Sequence, residues 1–248
     1  MRRFGLADGL GLTVTAVALA YFQGTADPAS FPKLLVLAVG GFAAAPWVVH
    51  RWTVRPWPPV SVLVPAGAAA SLALWAIVCT LASDAPWPVR LFGWWLRADG
   101  LLGFLAAVVL LLGAATFSRA EVARTISWLI GGAVVVACVG IPQALGAQIL
   151  GTTDHEVLGT LGQSNFAAGY LAIMTPLALG RVFESRAPWQ RWSYGVAAVL
   201  IAAMAVLTTA LQGPMALAGG LFAFGITVAV LVQGPHRRRA LMAAAVGA

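Results

Sequence analysis

The sequence predicts an all-α fold, a polytopic transmembrane helix bundle of about eight spans with a truncated ninth, and three observations carry that prediction. Of 248 residues, 60% are hydrophobic and only 9% charged, with a mean hydropathy of +0.89, far from the shares of a soluble globular domain. The apolar residues come in runs near the roughly 20 that a helix needs to cross hydrocarbon, bounded by charge, Pro or Gly. The Lys and Arg residues fall almost wholly in alternate connecting segments, as a fixed orientation in a bilayer requires. Ten Trp and fourteen Pro suit spans with aromatic ends and Pro-interrupted connections. A net charge of +7 would suggest a nucleic-acid partner in a soluble domain; here membrane orientation accounts for it, and no nucleic acid is expected.

The first run, 6–23, follows Arg2 and Arg3. A basic start before an apolar stretch also suits a signal peptide, but Thr25-Ala26-Asp27 is a poor cleavage site, so the run reads as an uncleaved span. The others are 33–50, 60–81, 100–117, 125–147, 165–181, 194–211 and 214–233, and a ninth begins at Ala240 and stops at Ala248. The whole chain, 1–248, reads as a single transmembrane domain. Cys79 and Cys138 sit inside apolar runs and are expected to be small lipid-facing or packing residues. Small residues such as Gly131, Gly132, Ala137 and Gly140, or Gly213, Ala216, Gly219 and Gly220, allow close helix approach and are read as packing surfaces.

With the N-terminus inside, every cation but Lys33, Arg90 and Arg97 falls on the cytoplasmic side. An outer-face cation works against the insertion bias, so these three stand out. Arg90 reads as a solvated loop charge. Lys33 and Arg97 abut span ends and are candidate functional groups.

The outer segment 84–105 carries Trp87, Trp94 and Trp95, expected to anchor it among headgroups, then Arg97 and Asp99 at the mouth of the fourth span. Arg97 either pairs locally with Asp99 or binds phosphate, which guanidinium does in bidentate fashion. The segment 146–164 carries Asp154, His155 and Glu156, three consecutive residues that rarely converge on one ion, and no metal is expected. Then come Gly159, Gly162, Gln163, Ser164 and Asn165. The glycines allow close backbone approach or positive φ, and the polar residues can cap the next helix. Either that cap is their whole role, or the helix N-terminus is a phosphate-facing site at the membrane surface.

These residues resemble a known family, the O-antigen ligase and O-antigen polymerase superfamily of bacterial envelope proteins. Gly159, Thr160, Gly162, Asn165, Gly169, Leu171, Pro176 and Leu177, within GTLGQSNFAAGYLAIMTPLAL, match its pattern. FPKLLVL is similar to the Pro-Lys opening the family's second span, GWWLRADGLL to its Gly, Arg, Asp-Gly element, and VGIPQALG to the Gln-x-x-Gly closing its fifth. The resemblance implies a transferase acting on polyprenyl-diphosphate-linked glycans at the outer face of the cytoplasmic (inner) membrane. Such enzymes pass the glycan to an acceptor or join repeat units, and relatives glycosylate proteins. Outer-face cations hold the diphosphate leaving group in such enzymes, which assigns substrate-binding roles to Lys33 and Arg97, with Asp99, Gly159, Gly162, Gln163 and Asn165 around them and no cofactor. The expected partners are the lipid bilayer, the lipid-linked glycan and a glycan acceptor.

Where the family has Ser-Arg-Gly near its eighth span, this chain has Leu211, Gln212 and Gly213, so a phosphate-binding Arg is replaced by a neutral amide. The family's large outer loop with its catalytic His would lie beyond Ala248, so the chain is expected to be the front part of a longer transferase. The alternatives are a transporter or flippase for a lipid-linked or anionic substrate, which would want polar groups at mid-membrane depth, and a noncatalytic membrane remnant.

Overall fold

In a computed structural model of the chain, described over residues 5–21, 30–54, 60–93, 100–149, 160–161, 164–208 and 210–231, the described elements are all α-helices. They are α1 Leu6–Leu19, α2 Ser30–Val54, α3 Val60–Ala82, α4 Trp87–Phe92, α5 Leu101–Ala114, α6 Arg119–Ala144, α7 Ser164–Glu184, α8 Pro188–Leu207 and α9 Gln212–Leu231. Six of them, α2, α3, α6, α7, α8 and α9, are long and apolar enough to cross a membrane. The chain is therefore an all-helical protein of multi-pass membrane type.

The two remaining apolar helices are shorter than the spans expected at 6–23 and 100–117. Each has 14 residues, about 21 Å of helix against a hydrocarbon core of roughly 30 Å. At its C-terminus α1 gives way to extended backbone at Ala20, with φ −66° and ψ 111°. The close of α5 is tightened by Thr116 and Phe117 N–H groups donating three residues back and by the Thr116 hydroxyl, which donates to the Gly113 carbonyl at 2.7 Å. The segment expected only to anchor in the headgroup layer contains the six-residue α4, far too short to cross. The ninth span expected at 240–248 lies outside the described residues.

The start of α6 is fixed by a capping box. Ser118 N–H and Oγ–H both donate to Glu121 Oε2 at 2.8 Å, while Glu121 N–H donates to Ser118 Oγ at 3.4 Å, so orphan donors at the helix entrance are met reciprocally.

Contacts divide the chain into two compact units, Met1–Leu129 and Ile130–Ala248, with the division falling inside α6. In the first, α1 and α2 run antiparallel, and Gly40 lies so close to the Thr13 side chain that any Cβ there would overlap it. Antiparallel too are α1 and α5, where a Cβ on Gly113 would meet Leu10 and Val48 at 3.0 Å. Parallel packing relates α2 to α5: Gly41 abuts Ala106, and the Trp52 indole donates to the Leu112 carbonyl at 3.1 Å. The start of α6 runs parallel to α1, joined by Thr125 Oγ–H to the Ala7 carbonyl at 3.1 Å and Thr15 Oγ–H to the Trp128 carbonyl at 2.8 Å. Successive long elements thus alternate in direction as membrane crossings do. Two ion pairs close one end of this unit, Arg51–Glu121 at 2.5 Å and Arg124–Asp8 at 3.0 Å. Ala7, Leu10, Gly11, Thr15 and Ala18 are buried, so α1 is packed into the unit along its length.

In the second unit α7 and α8 form an antiparallel hairpin joined through 185–187, and α9 runs parallel to α7. Ala167, Ala168, Leu171, Ala172, Thr175 and Ala178 form the buried stripe of α7, matched by Ala197, Ala198, Ile201, Met204 and Ala205 on α8. Small side chains at these helical spacings let backbones approach. A Cβ on Gly220 would meet the Ala172 carbonyl oxygen at 3.2 Å, and one on Gly140 would overlap the Met204 side chain. Gly131 and Gly219, by contrast, have nothing within 4 Å, so the packing expected at the small residues holds at some and not at others. Cys79 and Cys138 are free and exposed.

Candidate functional site

Of the sequence-predicted site residues, Lys33 and Asn165 are described; Arg97, Asp99, Gly159, Gly162 and Gln163 lie outside the described residues, as do Asp154, His155 and Glu156. Lys33 belongs to the first unit and Asn165 to the second.

Lys33 is half-buried in the first turn of α2, a turn that holds no acidic residue. A cation there sits against the positive end of the helix dipole, which opposes it by about 0.3–1 kcal/mol. Because α2 and α5 pack in parallel, Lys33 lies at the end of the unit where α5 begins, opposite the Asp8, Arg51, Glu121 and Arg124 ion pairs. Gly100, the last residue before α5, is pressed against the backbone of Leu91, Phe92 and Gly93, and a Cβ on it would overlap all three. Gly93 itself takes a φ of 87° as its N–H donates back to the Val89 carbonyl at 2.8 Å, a conformation open to glycine. Gly93 and Gly100, the described residues on either side of 94–99, are therefore in backbone contact.

The cation expected to be a solvated loop charge, Arg90, has a structural post. Its Nε donates to the Ala85 carbonyl, Nη1 reaches the Thr80 carbonyl at 3.4 Å, and its guanidinium lies 5.0 Å from the Trp87 ring centre. It clasps the end of α3 to α4 beside a cavity of about 250 Å³ lined by Cys79, Thr80, Ser83, Ala85, Val89 and Arg90.

In the second unit the Gln-x-x-Gly pattern proves to be a helix stop. Gly146 has a φ of 91°, its N–H donates to the Gln143 carbonyl and Ala147 N–H to the Pro142 carbonyl, both at 2.9 Å, which is a Schellman closure with glycine in the left-handed position. Buried Gln143 also donates through Nε2 to the Ile149 carbonyl at 3.2 Å, holding the departing chain. Thr160 is buried, α7 opens at Ser164, and Asn165 is exposed in its first turn. Nearby, buried Gly213 packs so tightly against the Ala205 carbonyl and Thr208 Oγ1 that a Cβ would overlap both, while Gln212 is exposed. Gly213 is thus fixed by packing beside an exposed Gln212.

Hydroxyls along the helices bond to backbone: Thr13 to Gly9, Thr175 to Leu171 and Thr227 to Ala223. Thr15 instead bonds across helices, donating to the Trp128 carbonyl on α6 at 2.8 Å. Among the described residues no group of three or more His, Cys, Asp or Glu could hold a metal ion.

Sequence reading passed over the groups that hold the opposite end of the first unit. Asp8 accepts from Gly5 N–H, from Arg124 and from the Trp128 indole. Glu121 accepts from Arg51 and Ser118. The Ser-x-x-Glu spacing before an apolar run was a readable signal for the second; nothing in the sequence marks the first, which joins residues more than a hundred positions apart. No family model, curated protein or solved structure matches the chain.

Proposed function

We propose that this chain is an O-antigen ligase- or polymerase-like membrane transferase. It would move or join glycans carried on polyprenyl diphosphate at the outer face of the cytoplasmic membrane, with eight crossings and the N-terminus inside. The observation that supports this reading best is the parallel packing of α2 and α5. It puts half-buried Lys33 at the end of the unit where α5 begins, and Arg97 and Asp99 precede α5 in the sequence.

In this reading Lys33 and Arg97 bind the diphosphate. Breaking the bond between the sugar carbon and the diphosphate oxygen leaves the electron pair, and negative charge, on the departing lipid diphosphate, and fixed cations stabilise that charge without reorganising. Gly159, Gly162 and Gln163 precede α7 in the sequence and Asn165 lies in its first turn, where helix N–H groups favour phosphate oxygens. Asp99 would hold Arg97 in place between turnovers.

The test is transfer from a polyprenyl-diphosphate glycan by the full-length gene product in proteoliposomes. Lys33→Glu and Arg97→Glu are each expected to lower turnover roughly a hundredfold, the scale of losing one charge-stabilising group at a reacting centre. Wild-type turnover in both variants would remove the diphosphate role.

A further inference from the structure

We propose that the turn joining α7 to α8 is a binding site for an anionic phospholipid of the surrounding bilayer, with Arg186 and Arg191 holding its phosphate and Trp189 and Trp192 lying against its glycerol backbone and upper acyl chains. Along α8 the exposed side chains Trp189, Trp192, Val196, Val199 and Val206 recur at helical spacing, the two tryptophans 69% and 76% exposed. Such a stripe is one face of a helix, and it ends in the residue type that prefers the headgroup level. The cations beside it are therefore placed where lipid phosphates lie.

Of the basic residues here, Arg181 is already engaged, paired with Glu184 at 2.6 Å and lying 5.3 Å from the Tyr194 ring centre. Arg186 and Arg191 are exposed, and neither meets a carboxylate among the described residues. Arg191 Nε donates to the Ser185 carbonyl at 2.8 Å, which fixes the side chain while its two terminal nitrogens stay available as a fork for phosphate oxygens. The turn is organised before any ligand arrives. Ser185 N–H and Oγ–H both donate to the Arg181 carbonyl, Pro188 occupies the first turn of α8, and Arg191 N–H donates to the Ala187 carbonyl. Less side-chain and backbone freedom is then lost on binding. A free phosphate would use only the arginines, whereas a phospholipid also covers the apolar stripe. On the orientation proposed above, the turn faces the inner leaflet.

The experiment is native mass spectrometry of the intact protein released from mixed micelles of phosphatidylglycerol and phosphatidylcholine. Wild type is expected to retain phosphatidylglycerol preferentially. Arg186→Gln and Arg191→Gln should each lower that retention about fivefold, and the pair roughly twentyfold, on the scale of a cation near an anionic surface, with phosphatidylcholine unchanged. Arg119→Gln, which removes an exposed arginine elsewhere, should leave it unchanged. Equal retention of the two lipids by wild type, wild-type phosphatidylglycerol retention in the double variant, or an equal loss in Arg119→Gln would each overturn the proposal. So would a polyglutamate peptide that binds wild type but not the double variant while lipid retention stays equal, which would hand the turn to an acidic protein. Arg186→Gln breaks no protein contact, so it decides the matter if the double variant folds poorly.

Discussion

Removing Glu121 should destabilise the first unit more than any other single change to a charged side chain described there, through two separable losses. Its carboxylate accepts from Arg51 at 2.5 Å and from Ser118 N–H and Oγ–H at 2.8 Å each. Exposed ion pairs contribute under about 1 kcal/mol, while stripping one partner from a buried pair costs about 3–5 kcal/mol because a charge is left behind. With side chains only 18% and 11% exposed, this pair lies nearer the buried limit, and Arg51 Nη1 is already buried without a hydrogen-bond partner. Stranding the guanidinium should therefore cost about 2–3 kcal/mol, and losing the capping box about 1 kcal/mol more. Glu121→Ala incurs both. Glu121→Gln keeps an acceptor for Ser118, since glutamine serves in a capping box, and should incur only the first. Arg51→Leu leaves the carboxylate with its Ser118 donors, while the double variant Arg51→Leu with Glu121→Gln strands no charge and should recover about 1–2 kcal/mol of the summed single costs. The assay is unfolding by SDS titration in mixed micelles, followed by far-ultraviolet circular dichroism. Additive single costs, within about 0.5 kcal/mol, would refute the reasoning.

Gly100→Ala should loosen the corner between α4 and α5 by about 1–3 kcal/mol, the cost of overpacking, because its Cβ would overlap backbone of residues 91–93; faster hydrogen exchange across 87–105 checks it, with Gly67→Ala, which meets nothing within 4 Å, as the innocuous control. Thr15→Val removes the bond to the Trp128 carbonyl and should lower stability by about 1 kcal/mol in the same SDS titration. Gly213→Val should cost at least about 1–3 kcal/mol and separate α9 from α8, whereas Gly219→Ala, with open space around it, should be silent; accessibility of a cysteine introduced at Ala205 to a thiol reagent reports the difference.

The helix class and most helix positions were legible because twenty-residue apolar runs have few alternatives to a membrane helix, and α3 and α9 fall within two residues of the runs read for them. Helix ends were less legible. Residues 188–193 contain two tryptophans and an arginine, so the run read there begins at 194, yet Pro188 starts α8 six residues earlier. Hydropathy measures what a residue meets, while a helix start depends on backbone bonds that polar and aromatic residues satisfy equally well. The same gap explains α4, whose six residues are held by the Arg90 clasp to α3, a tertiary feature with no period to detect. At the candidate site, the sequence marked Lys33 by its sign in the wrong place. It could not mark the parallel register of α2 and α5, which rests on Gly41 meeting Ala106 sixty-five positions away.

The glycines in the resembling motifs also carry a lesson about what such motifs report. Gly146 stops a helix, Gly93 and Gly100 bring two chain segments into backbone contact, and Gly213 admits α9 against α8. Each has a sufficient mechanical reason to be glycine, so none is by itself a sign of substrate. Lys33 differs. Asp8, Glu121 and Glu184 pair with Arg124, Arg51 and Arg181, at the chain ends assigned to the inside. Arg51 and Arg181 lie in last turns, where the helix dipole favours a cation; Lys33 lies in a first turn, where the dipole opposes one. Packing explains the glycines, whereas at the first turn of α2 both the cation and the helix dipole would favour a bound anion. A phosphate-dependent rise in the stability of wild type, absent in Lys33→Gln, is the binding consequence; equal stabilisation of both would place the anion elsewhere.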